Sequence, residues 1–328
     1  MPEDDDEIEK TDWNRRLTTF GGPIYGGLVS AGMVALPGGL AILSPKFAGA
    51  VLAQTAIIAA PAAGIALLLA GGMIDLSAGA MVCLAAVATA RLLEFGLGSW
   101  LPALVIPLLF SSANLFPGVA ITRLRLPSTL VTLGAAGIWW GIAAGLSGGS
   151  VLANPVTAGL NGWLLAAAPG GMTPTAGLGL ALLVGLGIWV LLTRTVYGRH
   201  LQAVGSDPKV AELCGLAVSR TQLTAFPLAG LAFGIGGLLQ NSRWSGGDPS
   251  LAWGLELDAM AAVMIGLPDW RGGRVSVFGA VLGAVVAGTV RSAAHLVSSS
   301  DWLANLLSGG LLLVATTTAA IRSRRPEE

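Results

Sequence analysis

The sequence predicts an all-α fold, a polytopic transmembrane bundle of about ten spans with both termini on one side. Charge scarcity is the first observation behind this. Only 11% of the 328 residues are charged and 54% are hydrophobic, whereas about a quarter of an ordinary soluble domain is charged. A surface facing water could not be dressed with so little charge, and mean hydropathy is +0.75. The second observation is arrangement: charges gather at the two ends and in short clusters, with long uncharged runs between them. The third is that a helix of about 20 apolar residues crosses a bilayer, and the apolar runs are mostly of that length.

Taken in order, residues 1–17 form an acidic, solvated N-terminal tail. It lacks the positive start of a secretory signal, so the first apolar run, 18–43, reads as a retained span. Further spans are predicted at 48–71, 75–93, 99–121, 127–147, 175–193, 221–240, 257–268, 275–296 and 302–321, and residues 322–328 form a short basic tail. The membrane domain therefore covers 18–321. The eighth span is short, and it works only if it starts earlier or is partly buried in the bundle. The connection 148–174 is uncharged and rich in Gly and Pro, which predicts irregular chain.

Basic residues supply an orientation. Cytoplasmic segments carry an excess of Lys and Arg. With ten spans, 14 basic residues fall on the side of the termini and 4 on the other, which accounts for all 18. Removing one middle span would scramble that division, so count and orientation support each other. Trp100, Trp163, Trp244, Trp253 and Trp302 fall near predicted span ends on the outer side, and Trp13 and Trp270 near inner ones, as an aromatic belt requires. Trp139 and Trp140 lie inside the fifth span. Glycines at four-residue spacing (Gly22/Gly26, Gly137/Gly141/Gly145, Gly230/Gly234 and Gly279/Gly283) predict faces where helix backbones approach closely.

Several function classes are excluded. Net charge is +0, so no basic field exists to hold nucleic acid. Cys83 and Cys214 are the only cysteines and have no partner at metal-ligand spacing, so no metal is expected. No nucleophile has an activating base beside it, and no Gly-rich phosphate loop is followed by Lys and Ser or Thr, so no catalytic residues are expected and no ATP on this chain. His200 reads as a solvated loop residue; His295 reads as a membrane-edge side chain or a pore residue.

Three places can carry function. Asp75, in GGMIDLSAGA, is the only charge between Lys46 and Arg91. An ionisable group there is costly and needs a reason. Either Gly71 and Gly72 end one helix and Asp75 or Ser77 caps the next, or the break lies on the path where polar groups meet a hydroxylated solute. The two readings are compatible. Glu256 and Asp258, beside Trp253 at the outer end of the eighth span, form either an ordinary polar loop, or a docking surface for a soluble partner or the mouth of the path. In the loop 194–220, Ser206 and Asp207 can cap a short helix with Pro208 at its first position and Gly215 near its end. Val210, Leu213 and Cys214 then share an apolar face, with Lys209 and Glu212 pointing elsewhere, and such a helix needs something to dock against.

At these residues the sequence resembles the permease subunits of ribose-type sugar ATP-binding cassette importers. GGMIDLSAGA is similar to their Gly-Gly-Ile-Asp-Leu-Ser signature. RLRLPSTLVTLGAAGIWWGIAAGLSGGS (123–150), TVYGRHLQAVGSDPKVAELCGLAVSR (195–220) and GLELDAMAAVMIGLPDWRGGRVSVFGAVLGAV (254–285) resemble three further blocks in the same order, from about residue 50 to the end. The resemblance implies a multi-pass protein of a bacterial inner membrane that pairs with a second permease, identical or similar. It implies two cytoplasmic ATPase subunits that use ATP and Mg, and a periplasmic solute-binding protein. The helix spanning Asp207, Pro208, Lys209, Val210, Ala211, Glu212, Leu213, Cys214 and Gly215 would couple to the ATPases. Asp75, Ser77, Asn114 and Trp140 are the candidate path residues, and Trp253, Glu256 and Asp258 the candidate docking residues for the binding protein. SANLFPG (112–118) keeps Asn114 but departs from the family pattern around it, and so does GLPDWRGG after Ile265. IDLS favours sugars or polyols over amino acids or nucleosides. The other transport class, an ion-coupled secondary transporter, would need paired ionisable residues near the midplane, where only Asp75 qualifies.

Overall fold

The computed structural model describes residues 44–95, 100–153, 176–244, 246–250, 253–267, 275–298 and 301–323. The predicted first span 18–43, both tails, Trp13, Trp163, Trp270 and most of GLPDWRGG lie outside the described residues.

Helix α1 (Pro45–Ala70) starts where the Ser44 side chain accepts the Phe47 amide at 3.2 Å, with Pro45 at its first turn. Helix α2 (Ala78–Glu94) follows a break at Gly71–Ser77. Helices α3 (Trp100–Ala113) and α4 (Leu115–Leu124) share one axis interrupted at Asn114, and α5 is Ser128–Ser147. Helix α6 (Ala176–Arg194) leads into α7 (Val196–Ser206) and α8 (Pro208–Leu213). Then come α9 (Val218–Trp244), α10 (Leu255–Ile265), α11 (Val277–Val297) and α12 (Asp301–Ser323). Among the described residues the only sheet is a two-stranded ribbon, in which β1 (Leu152–Ala153) pairs antiparallel with β2 (Gly246–Gly247).

Seven helices among the described residues are long and apolar enough to cross a membrane, counting α3 and α4 as one. Helix α2, with 17 residues, is a little shorter, and α10 has only 11. Burial divides the helices into two classes. The apolar window of α1 is 83% buried and that of α9 67%, whereas that of α12 is 22% buried. Helices α1, α2 and α9 therefore form the centre, and α12 turns most of its apolar residues outward, as a lipid-facing helix must.

The glycine faces divide in the same way. Gly230 and Gly234 lie against Phe110, Asn114 and Pro107 of α3 and its break, and Gly279 and Gly283 lie against Gly266 and Ala262 of α10. These are close backbone approaches, as expected. Gly137, Gly141 and Gly145 have nothing within 4 Å of where a side chain would project. Helix α5 therefore turns this triple away from the rest of the described chain.

The two ends of the bundle are distinct. At one end lie the ribbon and the C-termini of α2, α5 and α9. Arg91 Nε donates to Leu146 O at 2.8 Å, and Gly247 lies against Val87 and Ala90. At the other end lie α7, the break after α1 and the start of α9. Leu201 packs on Gly71, Gly205 packs on Gly72, and the Tyr197 hydroxyl donates to Thr221 O at 3.1 Å. Burial pushes the Tyr197 phenol above its usual pKa.

Candidate functional site

The first polar centre is the break between α1 and α2. Gly72 takes φ +75°, and the amides of Gly71 and Met73 return to Leu68 O, so the chain leaves α1 in a left-handed turn. Three side chains from two helices then bind the exposed backbone. Ser128 Oγ of α5 accepts from the Ile74 amide at 3.2 Å, and Thr132 Oγ1, one turn on, accepts from the Leu76 amide at 3.2 Å. Gln222 Nε2 of α9 donates to Gly71 O at 3.1 Å. Asp75 is 1% exposed. Its Oδ1 accepts from the Ser77 amide at 2.7 Å and the Ser77 hydroxyl at 2.6 Å, while Oδ2 has no hydrogen-bond partner among the described residues.

Glycines end one helix here as expected, but the cap is different. Ser77 sits at the N-cap without a side-chain capping bond. Asp75 braces the turn before it rather than the first turn of α2. Its carboxylate is held by a residue two positions away, which is the local side-chain to backbone bonding that Asp favours over helix.

Asn114 is buried with Nδ2 donating to Phe226 O at 2.9 Å. It ties the break between α3 and α4 to α9, next to Gly230. The Trp140 ring packs on Trp253 with centroids 5.2 Å apart at 42°.

The second polar centre was not foreseen as a unit. After β2 the chain does not start a helix at the ribbon end. It runs down along α2, with Cys83 Sγ 3.2 Å from Pro249 O, and reaches Gly79, where the Glu256 carboxylate lies so close that no side chain could replace the glycine hydrogen. From the level of Val87 to that of Gly79 is about 12 Å, at roughly 1.5 Å per helical residue. Helix α10 thus begins inside the bundle, which explains why the eighth span read as short.

At its mouth Asp258, 1% exposed, accepts Arg291 Nη1 of α11 at 2.6 Å, and the Ser308 hydroxyl of α12 donates to its other oxygen in a short bond. Arg291 Nη2 also donates to Trp253 O at 3.3 Å. Of the three candidate docking residues, Trp253, Glu256 and Asp258, two are turned inward. Asp258 is sealed against Arg291 and Ser308, Glu256 is packed on Gly79, and only Trp253 is well exposed, at 60%. Arg291 is the residue that sequence reasoning missed. Its signal was available: an Arg inside an apolar run demands a buried partner, and an unpaired Asp stood in the preceding span. His295, at the C-terminal end of α11, lies 3.8 Å from Asp301, which fits the edge position.

The third place is α7–α8. Asp207 caps α8, its Oδ1 accepting the amides of Lys209 at 2.9 Å and Val210 at 3.1 Å. Ser206 does not share that task; it closes α7 by donating to Gln202 O at 3.0 Å. Gly215, at φ +83°, ends α8 as a left-handed cap. Ala211 is buried against the chain, while Val210, Leu213 and Cys214 are exposed, Leu213 at 88%. Lys209 and Glu212 are exposed as well.

Residues 47–316 match the family model described as branched-chain amino acid transport system / permease component. The ribose import permease protein RbsC of Bacillus subtilis is 28% identical over 290 residues, covering 84% of this chain and 87% of its own. The L-arabinose ABC transporter permease protein AraH of Azospirillum brasilense is 30% identical over 291 residues, covering 83% and 79%. Among solved structures, PsaBC from Streptococcus pneumoniae in complex with Fab aligns with a TM-score of 0.44 at 16% identity, over 86% of this chain and 92% of that one.

Proposed function

Because the chain belongs to the branched-chain amino acid transport system / permease component family, we propose that it is the membrane-spanning subunit of an ATP-binding cassette importer and that its solute is a sugar or a close relative of one. The observation that carries the reading is likeness along more than four-fifths of the chain to permeases named for ribose and arabinose. In this reading the end with α7 and α8 faces the cytoplasm, together with tails 1–17 and 322–328, and the ribbon end faces outward, where a solute-binding protein delivers cargo. Ten spans then require the run 18–43 to cross the membrane as well. A second permease completes the path, and the outward glycines of α5 offer a face on which another helix could lie closely.

The coupling step follows from α8. Val210, Leu213 and Cys214 are apolar or weakly polar groups exposed beyond the membrane. Burying them in a groove of one of the two ATPase subunits, with the second permease's helix meeting the other, gives the apolar part of a docking contact. Asp207, Pro208 and Gly215 fix the short helix so that it moves as one piece, with Lys209, Ala211 and Glu212 carried on it. ATP and Mg belong to the partner. A push on α8 reaches α7, and α7 rests on Gly71 and Gly72. The break that contains Asp75 and Ser77 thus receives the motion directly. Ser128, Thr132 and Gln222 spread it to α5 and α9.

The test is reconstitution in liposomes with the cognate ATPase and binding protein, measuring uptake of D-ribose, L-arabinose and D-xylose. Uptake should require ATP and survive an ionophore. Uptake that collapses with the ionophore while ATP is held constant would make the chain an ion-coupled transporter. Leu213→Asp should abolish ATPase co-purification while the permease keeps its yield, and normal co-purification would remove α8 from the coupling role.

A further inference from the structure

Helix α9 runs through the centre of the bundle and carries Pro227 in its interior. Proline has no N–H, so the Leu223 carbonyl loses its helical donor there. The two parts of α9 on either side of this gap hold different neighbours. The part after Pro227 is locked by close packing. Gly234 lies on Pro107 of α3, Gly236 on Pro61 of α1 and Gly237 on Ala85 of α2. Asn241 Nδ2 adds a bond to Ala86 O of α2 at 3.0 Å. The part before Pro227 is bonded to the α7 end instead. Gln222 Nε2 donates to Gly71 O, and Thr221 O accepts the Tyr197 hydroxyl.

A neighbouring helix is interrupted at the same level. Helix α3 gives way to α4 at Asn114, whose Nδ2 donates to the carbonyl of Phe226, the residue just before Pro227. The contacts sort themselves around this bond. Gly118 of α4 lies on the Phe226 ring, before the gap, whereas Phe110 and Pro107 of α3 meet Gly230 and Gly234, after it. The join within the α3–α4 axis is weak, since the Gly118 amide reaches Asn114 O only at 3.4 Å. Asn114 Oδ1 is buried without a hydrogen-bond partner among the described residues, so a single bond fixes the side-chain amide. Sharp bends in helices arise at prolines and at interrupted hydrogen-bond ladders. Here one of each stands side by side, with glycine on both sides of the tie.

We propose that Asn114 and Pro227 form a paired hinge. At it α4 and the first part of α9 swing together against a frame of α1, α2, α3 and the rest of α9. The moving part of α9 carries the bond to α7, so displacement of α7 and α8 bends both helices at once. Asn114 is a positioning residue that keeps the two bends in step. What drives the hinge rests on the importer reading; where it bends rests on the packing.

The experiment uses the importer reconstituted with its ATPase and binding protein, with D-ribose, L-arabinose and D-xylose as probes. An unaltered chain that moves none of the three with ATP overturns the importer reading, and the drive for the hinge with it. If one sugar moves, Pro227→Ala returns a donor to Leu223 O and stiffens α9. Its uptake rate should fall about tenfold or more, as for a residue that absorbs a conformational step, while its melting temperature in detergent stays level or rises. Pro107→Ala removes a proline of α3 outside the hinge and should leave uptake near that of the unaltered chain. Full uptake by Pro227→Ala, or an equal loss in Pro107→Ala, overturns the hinge and leaves the importer reading standing. Amide hydrogen exchange gives a second measurement that needs no variant to fold. Adding ATP and Mg to the unaltered complex should speed exchange of residues 112–118 and 223–231 together. A rise in one segment alone, or in neither, overturns the pairing. In Asn114→Ala the rise should persist in 223–231 and vanish from 112–118; a rise kept by both overturns the part assigned to Asn114.

Discussion

The two polar centres solve the same problem with different materials. Both interrupt a helix inside an apolar bundle, and both must satisfy the backbone and a carboxylate that the interruption exposes. The break at Gly71–Ser77 uses neutral side chains of two other helices, the Ser128 and Thr132 hydroxyls and the Gln222 amide, while its own carboxylate, Asp75, is bonded two residues away. The mouth of α10 uses an ion pair and a hydroxyl drawn from three helices. Neutral hydroxyls can exchange one acceptor for another at low cost, whereas a buried charge has few substitutes. The first centre is thus suited to flex under α7, and the second to stay rigid.

That difference can be broken or sharpened by substitution, beginning with the largest effect. Arg291→Met leaves Asp258 charged and unpaired in the interior, which costs about 3–5 kcal/mol. Thermal unfolding in detergent should fall steeply for it and recover in the double variant Arg291→Met/Asp258→Leu. A double variant as unstable as the sum of the single changes would show that the pair is not a unit. Thr132→Val strips the Leu76 amide of its acceptor, at about 1–3 kcal/mol. The same melting measurement should show a loss smaller than that of Arg291→Met; a larger loss would reverse the ranking of the two centres. Gly72→Ala forces a Cβ into the left-handed region at about 1–2 kcal/mol, and Gly205 leaves it little room. A melting temperature equal to that of the unaltered chain would mean that the turn is not held in this conformation. Asp75→Asn is expected to be smallest, within about 1 kcal/mol, because it keeps an oxygen for Ser77 while removing a buried charge with one unpartnered atom. Stability well below that range would show that the charge itself holds the break.

The first centre was partly legible in the sequence. GGMIDLS announces a break through its glycines and an isolated carboxylate, and the Asp75–Ser77 bonds are local, but the braces from Ser128, Thr132 and Gln222 come from distant residues and were not legible. The helices were legible because their patterns are local as well. Residues 127–147 were predicted and Ser128–Ser147 is observed, and the cap of α8 at Asp207 follows from its neighbour Pro208. The second centre was not legible as a whole. Arg291 and Asp258 are 33 residues apart, and nothing in either apolar run specifies which helix face meets the other. Depth was also hidden. The sequence put Glu256 at the outer end of the eighth span, and only the packing of Pro249 on Cys83 and of Glu256 on Gly79 shows how far in it lies. The open glycines of α5 teach the same limit, since spacing predicts a face of small residues but not what covers it.

The cysteine pair has a practical consequence. Cys83 is sealed beside Pro249, while Cys214 stands free at the end of α8 next to Leu213. The unaltered protein therefore carries one reactive handle on the segment proposed to transmit force. A fluorophore attached there would report engagement and release as a change in emission, in real time and without engineering a residue.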